Sequence, residues 1–190
     1  IDVHKNVQRV EMRMELYRIG DKVVDGRKIQ REIERILSLR SQGLSQLEVA
    51  EQLGIDRPLI SRLETMGEVR KGKRIALVGF PVGNKEELAK VAAQEGIDFV
   101  YLLTDKQRWA WVEGQSGAEL VNEIMELISK LGQKFDLVIF LGSDMRLKIM
   151  EAIVGQRLVG LEIGKSPIRE DCYPDPEKLR LLIQQCKGEL

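Results

Sequence analysis

Side chains able to make or break bonds are sparse in this chain, and those present favour binding over catalysis. His4 is its single histidine, which nearly excludes a histidine base or a histidine-ligated metal centre. Cys172 and Cys186 match no metal or redox spacing and read as reduced thiols. Asp105, Asp144, Glu170 and Asp171 stand at loop-like positions, yet nothing in the sequence pairs them with a nucleophile or a base. The segments that end or follow the apolar runs from residue 75 onward are "GFPVGN" (79–84), "TDKQRW" (104–109), "GSD" (142–144) and "GKSP" (164–167). None is a nucleotide fingerprint: "GFPVGN" lacks the glycine spacing of a dinucleotide site, and "GKSP" has Val159 where a P-loop needs its first glycine. They still supply a candidate ligand set of Gly79, Phe80, Gly83, Asn84, Thr104, Asp105, Gly142, Ser143 and Asp144. Glycines at 79, 83 and 142 are expected to let a ligand approach backbone amides, and Ser143 and Asp144 to cap the following helix.

The elements that must position these residues form a regular alternation from residue 75 onward. "IALVGF" (75–80), "DFVYLLT" (98–104), "DLVIFLG" (136–142) and "LVGLEIG" (158–164) read as strands. Helical periodicity fills 85–96, 118–132, about 145–154 and 175–188 between and after them. Near-continuous apolar strands separated by helices predict a four-stranded parallel sheet covered on both faces, of Rossmann or flavodoxin-like kind. In such sheets ligands bind beyond the carboxyl ends of the strands, where the four segments fall. A phosphoreceiver domain shares the architecture, but its acidic cluster has no counterpart here, because the first strand ends in Gly79-Phe80-Pro81. Trp109 and Trp111, two apart in "RWAWVEG", share a face if extended and read as interface or core.

Before residue 74 the pattern is helical, with no convincing strand, so the chain divides into an all-α domain at 1–73 and an α/β domain at 74–190. Val3, Val7, Val10, Met14 and Tyr17 form about two heptads and predict a helix over 3–19, ending at Gly20, that packs within its domain or pairs subunits. Ile29, Ile33, Ile36, Leu37 and Arg40 mark a second helix over about 27–40. Ser45 with Glu48 three residues on is a capping box for a helix reaching Leu53, and Gly54 suits the tight turn that follows. Asp56 is the expected cap of a third helix, with Pro58 tolerated in its first turn. "GEVRKGKR" (67–74) reads as a basic linker.

The stretch "GLSQLEVAEQLGIDRPLISRLE" resembles the lambda-repressor/Cro-type (XRE) helix-turn-helix, whose usual pattern is similar to GLSQxxLAxxLGVSxxxISxxE. Leu44, Ser45, Gln46, Ala50, Leu53, Gly54, Ile60, Ser61 and Glu64 occupy the family's places, and the resemblance covers about residues 27–66. It implies a DNA-binding face made of Ser45, Gln46, Arg57, Pro58, Leu59, Ser61 and Arg62. In that implication Gln46 clamps a phosphate, Arg57 reaches a guanine, Leu59 meets a thymine methyl and Arg62 touches a base or phosphate. Asp56 and Pro58 depart from the pattern, leaving the reading of bases mainly to the two arginines. A near-palindromic double-stranded operator and a homodimer are implied.

Charge is balanced, 30 basic against 30 acidic residues, but unevenly spread. Residues 1–74 carry 16 Lys and Arg against 12 Asp and Glu, a net of +4, and the remainder carries 14 against 18, a net of −4. With 43% apolar and 32% charged residues the composition is that of a globular protein; the charged stretch "IDVHKNVQRVEMRM" does not read as a secretory signal, and the apolar runs are too short to predict a membrane span. The leading expectation is therefore a cytoplasmic, dimeric, DNA-binding transcriptional regulator, not an enzyme and without a cofactor, whose α/β domain dimerises or senses a small-molecule effector. The alternative is an α/β enzyme acting on a nucleotide or phosphorylated metabolite, with the helical domain as an adaptor. A pure interaction module is the third possibility.

Overall fold

The computed structural model describes residues 15–68 and 74–188 and divides the chain into two compact units, 1–68 and 69–190. The first unit is not all-α. Strands β1 (Leu16–Ile19) and β2 (Lys22–Asp25) form an antiparallel hairpin, Leu16 opposite Asp25 and Ile19 opposite Lys22. Gly20 supplies the positive φ, 60°, that a two-residue hairpin turn needs at its first position. The expected helix over 3–19 is thus corrected at its C-terminal end, and its positions before residue 15 lie outside the described residues. Tyr17 is no helical seam position: a β-carbon on Gly26 would lie 2.9 Å from its ring, and the Gly26 N–H donates to the Glu15 carbonyl at 2.7 Å. Tyr17 satisfied a heptad spacing with the apolar residues before it, yet the β-branched and aromatic residues around Gly20-Asp21 prefer extended backbone.

Asp25 then caps α1 (Gly26–Ser41) by accepting from the Arg27 N–H. Helix α2 (Gln46–Leu53) opens on the foreseen capping box, the Glu48 N–H to the Ser45 hydroxyl at 3.2 Å and the Ser45 N–H to the Glu48 carboxylate at 2.7 Å. Gly54 ends it with φ 65°, a left-handed conformation that a side chain would strain. Helix α3 (Arg57–Gly67) follows with Pro58 in its first turn, but the Asp56 side chain makes no capping hydrogen bond. Ile36, Val49, Ala50 and Ile60 are the buried centre of the three helices, ringed by Leu39, Leu44, Leu53, Ile55 and Leu63. Of the predicted α1 stripe only Ile36 is buried; Ile29 and Leu37 stay exposed.

The second unit contains the predicted parallel sheet. Strands β3 (Ile75–Gly79), β4 (Phe99–Leu102), β5 (Leu137–Ser143) and β6 (Leu158–Gly164) lie in the order β4-β3-β5-β6, all parallel. Alternation along the central strands sorts their side chains into two cores. Ile75, Leu77, Ile139 and Leu141 meet residues of α4 (Lys85–Gln94) and α8 (Pro176–Lys187), including Leu88, Leu179 and Ile183. Ala76, Val78, Val138 and Phe140 face Leu131 of α6 (Gly117–Lys134) and Val154 of α7 (Asp144–Val154). An element that the periodicity did not reveal, α5 (Asp105–Glu113), takes up "TDKQRW" and turns Trp109 and Trp111 into helical rather than extended neighbours. Its signal was a capping box: Thr104 accepts from the Gln107 N–H and Gln107 accepts from the Thr104 N–H.

Because β3 connects outward to β4 and the chain then returns past it to β5, the winding reverses between β3 and β5. That is the switch point at which open α/β sheets leave a crevice beyond their carboxyl ends. Among the described residues no helix is long and apolar enough to cross a membrane.

Candidate functional site

The carboxyl edge at the switch point is built from three loops that lock onto one another. After β3, the Phe80 N–H donates to the Leu141 carbonyl, the Val82 N–H to Leu103 and the Gly83 N–H to Cys172. After β5, the buried Ser143 hydroxyl lies 2.9 Å from that of Ser166 and accepts from the Arg146 N–H, capping α7. Asp144 reaches across to accept from the Ser166 N–H at 2.9 Å. That bond leads, helped by the Met145 N–H and by Lys165 and Lys148, in holding the Asp144 carboxyl below its ordinary value; partial burial opposes them. Asp144 is consequently a fixed anion of the loop and a poor proton acceptor.

The glycines expected to admit a ligand are filled by protein instead. A β-carbon on Gly79 would lie 2.7 Å from that of Leu141, one on Gly83 2.6 Å from the Tyr173 ring, and one on Gly142 2.4 Å from the Phe140 ring. These residues are glycine because strands, rings and loops approach them closely. Asn84 donates to the Pro174 carbonyl at 2.9 Å, while its own carbonyl oxygen is buried without a partner. Thr104 is spent as the α5 cap, and Asp105 pairs with Arg108 at 2.5 Å while its N–H donates to Asp171.

What the edge does present is a group of arginines. A cleft of about 670 Å³ is lined by Arg108, Trp109, Val112, Arg146, Pro167, Ile168 and Arg169, three guanidinium groups and no carboxylate among its walls. Arg108, only 8% exposed, is the buried residue of α5 and lies 5.2 Å from the Trp109 ring centre. Arg146 stacks over Phe80 at 4.9 Å and donates to the Phe80 carbonyl at 3.3 Å. Burial first, then the charge of Arg108, push the Arg146 guanidinium below its ordinary value, with Asp105 acting against them. Among the described residues neither Arg146 nor Arg169 forms an ion pair. Two guanidiniums held partly out of water around a single carboxylate leave a local excess of positive charge, and planar guanidinium forks match the geometry of a phosphate.

The nine sequence-derived candidates all fall at or near this edge but none lines the cleft; Phe80 and Asp105 touch it through Arg146 and Arg108. The cleft residues outside that candidate set are Arg108, Val112, Arg146, Pro167, Ile168 and Arg169, of which Pro167 lies in the flagged "GKSP". Trp109, read as interface or core, is a cleft wall. Arg108 sits inside the flagged "TDKQRW", and only recognition of the Thr104–Gln107 box would have turned it toward the edge.

In the first unit, Arg57, Pro58, Leu59, Ser61 and Arg62 are exposed on α3. Gln46 is committed within the unit: its amide donates to Glu64 at 2.7 Å and its carbonyl accepts from Arg57 at 3.4 Å. Glu64 also accepts from Arg40 at 2.5 Å, and these two bonds, Arg40 first, hold its carboxyl below the ordinary value. Ser45 is the α2 cap.

No family model matches the chain, and no solved structure matches it. Over 106 residues, 55% of this chain, the sequence is 28% identical to the UDP-N-acetylglucosamine–N-acetylmuramyl-(pentapeptide) pyrophosphoryl-undecaprenol N-acetylglucosamine transferase of Caldanaerobacter subterraneus subsp. tengcongensis. The match covers 29% of that enzyme, so the chain spans less than a third of its relative's length. A match of 106 residues is longer than the first unit, 1–68, and therefore extends into the α/β unit. This similarity corrects the leading expectation. The protein that the chain resembles is a transferase, which overturns the reading as a non-enzymatic, DNA-binding transcriptional regulator and favours the enzyme alternative.

Proposed function

We propose that the α/β unit is an enzyme domain acting on a nucleotide or phosphorylated substrate, bound by its phosphate in the cleft of Arg108, Arg146 and Arg169. The helical unit accompanies it as an adaptor. The observation that carries this reading is the three-arginine cleft without an acidic wall at the switch point, where α/β folds place their ligands. Similarity to a transferase named for UDP-N-acetylglucosamine adds support, since a nucleoside diphosphate is the group such a donor leaves behind.

The chemistry on offer is electrostatic. Asp144 is held ionised by two N–H donors, which makes it a poor proton acceptor, and the Asp105 carboxylate is engaged by Arg108. Fixed guanidiniums instead neutralise charge that grows on a departing phosphate, and they need no reorganisation to do so. Trp109 offers a flat apolar wall beside them for a base or sugar ring.

The test is a thermal-shift panel of nucleoside diphosphates, nucleotide sugars and sugar phosphates, with chromatography of each binder for products. The reading predicts stabilisation by phosphorylated compounds alone and release of a nucleotide or phosphate from at least one. Absence of any shift at about millimolar ligand, the weak end of ordinary substrate affinities, would overturn it.

A further inference from the structure

Behind the arginine cleft, on the same side of the sheet, lies a second space of about 320 Å³ whose walls are almost wholly apolar. Val78 and Phe140 form its floor, Leu127 and Ile128 come from α6, and Met150 and Ile153 from α7. Arg108, Val112 and Arg146 line both spaces, so the two guanidiniums stand where the charged cleft meets the apolar groove. The helices above are thinly seated: α5 buries only Arg108 and α6 only Leu131, while Ile124, Ile149 and Ile153 remain 37–51% exposed. Apolar walls left open to water gain free energy when a matching apolar group covers them.

We infer that this cavity binds the apolar portion of an anionic amphiphile whose phosphate rests on Arg108 and Arg146. The inference rests on the proposed phosphate cleft and deepens it: the phosphorylated substrate is one with an alkyl-like group attached. A neutral amphiphile would leave Arg146 without a counter-charge, since only Arg108 has one in Asp105, and a cationic one would meet the two guanidiniums as a third like charge. Charge therefore selects the head and the cavity selects the tail.

The experiment is isothermal titration of the full chain with inorganic phosphate and with butyl, hexyl and octyl phosphate below their micelle concentrations. Octanoate and octyltrimethylammonium serve as the carboxylate and cation arms. Affinity should rise along the alkyl series by up to about fourfold per methylene, the worth of burying one CH₂, and octyltrimethylammonium should not bind. Octanoate should bind more weakly than octyl phosphate. Ile128→Phe, which fills the cavity from α6, should flatten the series while inorganic phosphate binds as before. Butyl and octyl phosphate of equal affinity would overturn the tail site and leave the phosphate cleft standing. Octanoate equal to octyl phosphate, with inorganic phosphate silent, would overturn the phosphate head. Failure of every anion would overturn the cleft and the cavity together.

Discussion

Replacing Arg146 by Met removes the charge from the cleft and keeps an unbranched stem to pack on Phe80. In the free protein little should be lost. The guanidinium over the Phe80 ring is worth about 0.5–1 kcal/mol at a partly exposed site, and its hydrogen bond to the Phe80 carbonyl is long, 3.3 Å. Against these losses stand relief from burial and from the repulsion of Arg108, the two causes that depress the guanidinium. The net change in stability is expected within about 1 kcal/mol of zero, or roughly 2–4 °C in Tm for a chain of this size. A phosphate ligand loses one charge-assisted contact, about 1.5–3 kcal/mol, which is roughly a 10- to 140-fold rise in Kd at about 1.4 kcal/mol per decade. Isothermal titration with UDP and a thermal melt of the same two proteins separate the effects. Unchanged UDP affinity together with a fall in Tm beyond about 4 °C would refute the reasoning and make Arg146 a packing residue.

Gly79→Ala drives a β-carbon to 2.7 Å from that of Leu141 on the neighbouring strand, and backbone-anchored atoms have little room to give. Urea unfolding should show a loss of about 1–3 kcal/mol, the range for overpacking, and a wild-type midpoint would contradict the close strand approach. Ile139→Ala, at the fully buried centre of β5, should cost about 2–5 kcal/mol by the same measurement. Glu64, depressed by Arg40 and Gln46, contributes stability that is fully present above its unfolded value and disappears as pH falls through its folded one. Carboxyl NMR should find it titrating below the ordinary glutamate value and moving upward in Arg40→Ala; no movement would show that Arg40 does not hold it.

The parallel sheet was legible because its central strands are buried on both faces, which makes "IALVG" and "DLVIFLG" near-continuous apolar runs. The capping box at Ser45 and the left-handed Gly54 were legible because such signals are local. Asp56 shows the limit: a capping residue type in the right place whose side chain caps nothing. The β-hairpin was missed because Tyr17 and the valines before it also satisfy a heptad spacing. Helix α5 was missed because its single buried residue is an arginine, so it carries no apolar stripe. The candidate site shifted for a related reason. Glycine in a strand-end loop was read as room for a ligand, but Gly79, Gly83 and Gly142 are filled by Leu141, Tyr173 and Phe140. The arginines that line the cleft come from α5, α7 and the loop after β6, and only the fold brings them together. The resemblance at 44–64 concerned the other unit and drew the functional expectation away from the sheet.

The central claim is that the carboxyl edge of the sheet takes a phosphorylated substrate on its arginines. Equilibrium dialysis of the full chain against radiolabelled UDP, beside the variant with Arg108, Arg146 and Arg169 all changed to Met, tests it most directly. The account predicts saturable, single-site retention by the wild-type protein, displaced by unlabelled UDP and abolished in the folded triple variant. Equal UDP on both sides of the membrane for the wild-type protein, or undiminished retention by the triple variant, would contradict it.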